Sequence, residues 1–154
     1  MSIWTEGNTY LMNTSSHTLR QIKLILPGGA IAYYFGTLQE FWTIIRSDAG
    51  LARSTALAAL FSGCTTIALF IFVLLTPWIR GVEPDFREWR ESGILSSVIP
   101  LLTTSIVLGW LLLVISLAHY SDSGIFRGVV GASAVYALSF GLLGLLPAPK
   151  VKRT

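Results

Sequence analysis

One carboxylate stands inside an apolar stretch. Glu40, preceded by Gln39, falls within Leu24 to Ile45, a run otherwise free of charge. A carboxylate in hydrocarbon costs about 3 kcal/mol or more unless it is paired, protonated or wet. Glu40 lies five residues before Ile45, hence ~7–8 Å below the end of a helix ending there, within reach of interfacial water. Gln39 and Glu40 therefore form a candidate intramembrane polar site. Its two uses are a proton or cation site, or an acceptor for a polar group on a neighbouring helix. The shallow depth, and the lack of a second intramembrane charge to relay a proton, favour the acceptor.

A second set of polar residues gathers near the ends of apolar runs. Asp48, His119, Asp122 and Arg127 fall on one side of the membrane in the topology below, as a candidate outer-face cluster. Acids with an imidazole could hold a divalent cation or gate protons. Their spacing matches no metal-binding motif, and Arg46, Arg53 and Arg127 on the same side can neutralise the acids, so no metal site is predicted. Histidine also ligates haem iron. The one other histidine, His17, falls on the opposite side, which argues against an intrachain bis-histidine haem; a redox anchor using His119 would need a ligand from another subunit. No cofactor is required. The single cysteine, Cys64, sits in an apolar run without an intrachain partner. A zincin motif, a nucleophile elbow and a phosphate-binding glycine loop are all absent, so no catalytic residue is assigned.

The elements that must carry these residues are membrane helices. Charged residues make up 12% of the 154-residue chain, hydrophobic residues 53%, and the mean hydropathy is +0.65; soluble domains carry about 25% charged residues. Charge-free runs cover 26 residues (Ser54 to Ile79), 30 residues (Ser92 to Ser121, His119 taken as neutral) and 22 residues (Gly128 to Pro149). At ~1.5 Å per residue each exceeds the ~30 Å hydrocarbon thickness. Backbone groups in lipid must pair internally, and runs this long suit helices rather than barrel strands. The expected fold is an all-α, integral-membrane four-helix bundle with short loops. Its spans fall at about 23–45, 54–79, 94–119 and 127–147, between a polar tail over 1–22 and a basic tail over 150–154. The first span is the weakest, because Pro27-Gly28-Gly29 is expected to break its start. The alternative for this segment is a re-entrant or interfacial helix. The polar start also lacks the pattern of a secretory leader.

Orientation follows from basic residues. With four spans, eight of the eleven Lys and Arg share the side of the two tails and the second loop, so both termini are expected in the cytoplasm. The sequon Asn13-Thr14-Ser15 then lies on the unglycosylated side. In the second loop, Glu83-Pro84-Asp85 resembles a helix start, with Phe86 and Trp89 on one face, which predicts a short interfacial helix. Trp78 and Tyr120 fit an aromatic belt.

The fourth span carries a packing code. Gly124, Gly128 and Ala132 are four apart, as are Ser133, Ala137 and Gly141; small residues at this spacing let helices approach closely in lipid. Ala52, Ala56, Ala59 and Gly63 repeat it in the second span, and Ser105 and Gly109 in the third, where Pro100 suggests a kink. Together these features predict a non-catalytic membrane subunit that packs in, stabilises or assembles a larger complex. Its partners would be the lipid bilayer and other membrane subunits or further copies of itself. No basic, aromatic-rich cluster suggests nucleic acid. The alternative is a small ion-coupled transporter using Glu40.

Overall fold

The computed structural model describes residues 3–48, 50–80, 90–91, 93–122 and 124–146, with side chains from residue 18 onward except those of 78 and 80. Among the described residues five helices follow one another: α1 (Ile3–Tyr34), α2 (Thr37–Arg46), α3 (Gly50–Arg80), α4 (Leu95–Tyr120) and α5 (Gly124–Gly144). Within the described residues three stretches, Gly50–Pro77, Leu95–Tyr120 and Gly124–Gly144, are long and apolar enough to cross a membrane. They overlap the three charge-free runs, the first and third beginning earlier so as to include Arg53 and Arg127. The expected interfacial helix around Glu83 to Trp89 lies outside the described residues.

The first segment departs from expectation. Pro27-Gly28-Gly29 does not break the helix; α1 runs through it and back into the polar N-terminal stretch. The reason is packing. A Cβ on Gly28 would stand 2.9 Å from the Ala134 carbonyl oxygen and 3.0 Å from the Leu138 nitrogen, so the glycine lets α1 touch the backbone of α5. Neighbouring helices make a proline tolerable inside a membrane helix. The break comes nine residues after Pro27, at Gly36, where φ is +60° and ψ 25°. Other L-residues rarely adopt that left-handed conformation. The predicted span over 23–45 is therefore two helices rather than one. At α4, by contrast, the helix continues through Pro100.

The four long helices lie in a row, α3–α4–α5–α1, each packed on the next. Among the described residues α1 and α3 do not pack closely enough to close the row into a ring; α2 reaches across it, touching α1, α3, α4 and α5. Small residues set the crossings. Ala52, Ala56 and Ala59 of α3 are buried with Leu113 and Leu117 of α4, Ala132 of α5 and Ile44 of α2. A Cβ on Gly128 would lie 2.9 Å from the Ala118 nitrogen. Several hydroxyls in the apolar helices are satisfied at home: those of Thr66, Thr76, Thr103, Ser116 and Ser139 donate to the carbonyl four residues back. Ser62 instead donates across the α3–α4 seam to the Ser105 carbonyl at 2.9 Å. Paired in this way, polar groups cost little in lipid.

Candidate functional site

Glu40 occupies the first turn of α2, and Arg46 its last, both on the favourable side of the helix dipole. The α2 C-terminus is closed by Ser47, whose hydroxyl and backbone N–H both donate to the Ile44 carbonyl, at 2.7 and 3.2 Å. Gly36, by turning the chain just before α2, brings Glu40 against the corner between α4 and α5. There the Ser121 hydroxyl donates to Glu40 Oε2 at 2.9 Å. The contact joins residues 81 apart in sequence and ties α2 to the end of the helix row.

Around this clasp lies a polar cavity of about 390 Å³, lined by Gly36, Gln39, Glu40, Thr43, Ile44, Tyr120, Ser121 and Asp122. Gln39 is exposed, and its carbonyl accepts the Thr43 hydroxyl at 2.9 Å. Asp122 joins Glu40 here, but the rest of the expected outer-face cluster does not line the cavity. Asp48 is exposed in the α2–α3 turn. His119 is exposed and stacks edge-on against Tyr120, ring centroids 5.2 Å apart. Arg127 lies over Phe35, 5.2 Å from its centroid. Among the described residues no three His, Cys, Asp or Glu side chains gather as metal ligands. The His17 side chain lies outside those described.

The small residues singled out on α5 have different surroundings. Gly128, Ala132 and Gly141 are buried, with Gly128 against α4 and Gly141 against Ile25 of α1. Ala137 lies 3.4 Å from where a Gly28 Cβ would stand. Ser133 is exposed, and its hydroxyl accepts the Trp110 indole N–H at 3.3 Å. Gly124 opens the helix at φ +74° with open space around it, a conformational rather than a packing position.

A second cavity was not foreseen. The groove over α4 between α3 and α5 is filled by α2 along part of its length. Beyond α2 it continues as an apolar cavity of about 420 Å³, walled by residues such as Leu60, Cys64 and Ile67 of α3 and Phe140 and Leu143 of α5, with Gly109 and Leu113 as floor. The Tyr136 hydroxyl is wedged against Gly109, buried and without a hydrogen-bond partner. Neither Ser121 nor this cavity carries a signal in the sequence; the apolar periodicity of α2, with Thr37 and Ile44 inward and Leu38 and Trp42 outward, was the available clue to an extra packed helix.

The family model described as TMEM128 protein matches residues 13–120, from within α1 to the end of α4, so α5 follows the matched region. Comparison with curated proteins and with solved structures finds no match.

Proposed function

The chain belongs to the TMEM128 family of membrane proteins, and from that premise we propose that it is a small, non-catalytic subunit that packs in, stabilises or assembles a larger membrane protein complex. The observation that carries this is the use made of Glu40. The carboxylate accepts the Ser121 hydroxyl and ties α2 to the α4–α5 corner, a structural employment of the most costly side chain in the apolar region. The open helix row adds support, since a row exposes more apolar side than a closed bundle and offers it to neighbours.

In this proposal α1 and α2 together make a fourth crossing, with both termini cytoplasmic. Support comes from the register of α1 on α5. Gln21 meets Gly144, Ile25 meets Gly141, Gly28 meets Ala134, and Thr37 beyond the break meets Gly131. From Gln21 to Thr37 the chain thus runs antiparallel to α5 over most of a helix that is ~31 Å long. The excess of basic residues on the tails and second loop gives the direction.

A second reading, a small ion-coupled carrier using Glu40, draws on the polar cavity beside Glu40 and Asp122. One experiment separates the two. The full chain is tagged at its C-terminus and purified from its native membrane in mild detergent, and the particle is sized and its chains identified. Other membrane proteins in fixed stoichiometry are expected. A particle of this chain alone that, in vesicles, carries an ion flux abolished by Glu40→Gln would overturn the subunit proposal.

A further inference from the structure

We infer that the apolar cavity beside α2 holds one acyl chain of a phospholipid whose phosphate rests at Arg46. The cavity exists because α2 fills only part of the groove between α3 and α5. Its rim is apolar and open: Leu38 is 57% and Trp42 52% exposed, and Leu60, Cys64 and Ile67 are exposed as well. In a bilayer such a rim faces lipid. Acyl chains that enter it gain dispersion contacts with the whole lining.

Size selects the occupant. An apolar cavity of about 150 Å³ binds one benzene; at about 420 Å³ this one takes nearly three times as much, roughly 16 to 18 carbon atoms. That suits one acyl chain. A helix with its side chains is ~10 Å across and rises 5.4 Å per turn, so a single turn fills about 420 Å³; no spanning partner helix fits within. The lining is mostly apolar, and the Thr66 and Ser139 hydroxyls at the cavity donate to their own helices.

The headgroup site follows from α2. Leu38, Trp42 and Arg46 stand four apart and form one exposed stripe. Leu38 and Trp42 line the cavity, and the Arg46 guanidinium lies 5.0 Å from the Trp42 ring centroid. From Leu38 to Arg46 the helix climbs ~12 Å. The stripe leads from apolar cavity to interfacial tryptophan to cation. Tryptophan prefers the headgroup level, and the planar guanidinium pairs with phosphate through two parallel hydrogen bonds.

The test uses the full-length protein in phosphatidylcholine vesicles doped with phosphatidylglycerol bearing a photoreactive diazirine in its acyl chain. After illumination, adducts are mapped by peptide mass spectrometry. They are expected to concentrate several-fold on Leu60, Cys64, Ile67, Phe140 and Leu143 over Phe61 and Leu111, which are exposed outside the cavity. Gly63 lines the cavity, and a Cβ there meets nothing within 4 Å, so Gly63→Phe grows into the space and should erase the excess. Arg46→Ala should erase the preference for photoreactive phosphatidylglycerol, which is net anionic, over an equally labelled, net-neutral phosphatidylcholine. Should Gly63→Phe fail to fold, unlabelled phosphatidylglycerol must compete selectively with the cavity adducts. Even labelling over the lipid face, or an excess untouched by both Gly63→Phe and competitor, overturns the inference. So does cavity labelling that appears only after co-purifying chains are stripped away, which would make the occupant a protein.

Discussion

At Glu40, charge and hydrogen bonding can be separated by substitution. Glutamine keeps an oxygen that accepts from Ser121, whereas alanine removes that acceptor. Losing a hydrogen bond to a charged group costs about 1.5–3 kcal/mol, and the partial exposure of Ser121 puts the expected cost at or below the lower end. Glu40→Gln should therefore melt in detergent close to the unaltered protein and Glu40→Ala measurably earlier, with Ser121→Ala adding little on top of Glu40→Ala. A folded Glu40→Gln protein that has lost its cellular activity would speak for ion coupling instead. Glycines divide in the same physical way. At Gly28 the atoms awaiting a Cβ are α5 backbone at 2.9 and 3.0 Å, whereas at Gly63 there are none within 4 Å. Overpacking that backbone contact costs about 1–3 kcal/mol, so Gly28→Ala should lower the melting temperature and Gly63→Ala should leave it nearly unchanged.

Among the elements, α3, α4 and α5 were legible from sequence because each is built on a long charge-free run, and lipid leaves such a run little choice but helix. The α1–α2 break was not. Pro27-Gly28-Gly29 is the louder local signal, yet α5 supports the helix there, while the lone Gly36 after Tyr34-Phe35 turns the chain. Local propensity lost to packing in one place and prevailed in the other. The contact between Glu40 and Ser121 was illegible for a different reason: nothing in its neighbours marks Ser121 among the serines, and its role comes from where α4 ends. Gly36 can be tested directly. With nothing within 4 Å of its Cβ position, the cost of replacing it is backbone strain alone. Gly36→Ala should destabilise by about 1–2 kcal/mol and Gly36→Asn by less, since asparagine visits the left-handed region more readily. Equal melting temperatures for the unaltered protein and both variants would show that the break carries no strain. On α5, Gly128→Leu and Gly141→Leu insert side chains where α4 and α1 press closest, and loss of folded protein in membranes is the expected outcome of either.

For the whole molecule the open row matters more than any one helix. In a closed four-helix ring the first helix would pack on both its neighbours; here α1 leans on α5, and α2 takes the remaining place between the walls. The first segment is thus divided between packing along α5 and filling the groove between α3 and α5. Whether α1 and α2 still complete a crossing decides the side of the N-terminus, and labelling can read it. In a Cys64→Ala background, single cysteines are introduced by Ser15→Cys, Asp48→Cys and Asp85→Cys and probed in sealed, oriented vesicles with a membrane-impermeant maleimide. Asp48 and Asp85 flank α3, so their cysteines should label from opposite faces. With four crossings, Ser15→Cys labels from the same face as Asp85→Cys, where the basic residues are in excess. If the first segment only dips into the membrane, Ser15→Cys labels together with Asp48→Cys. The contacts of Gln21 to Thr37 along α5 from Gly144 to Gly131 predict the first result, because a chain that follows a membrane helix over some 20 Å has little room to return.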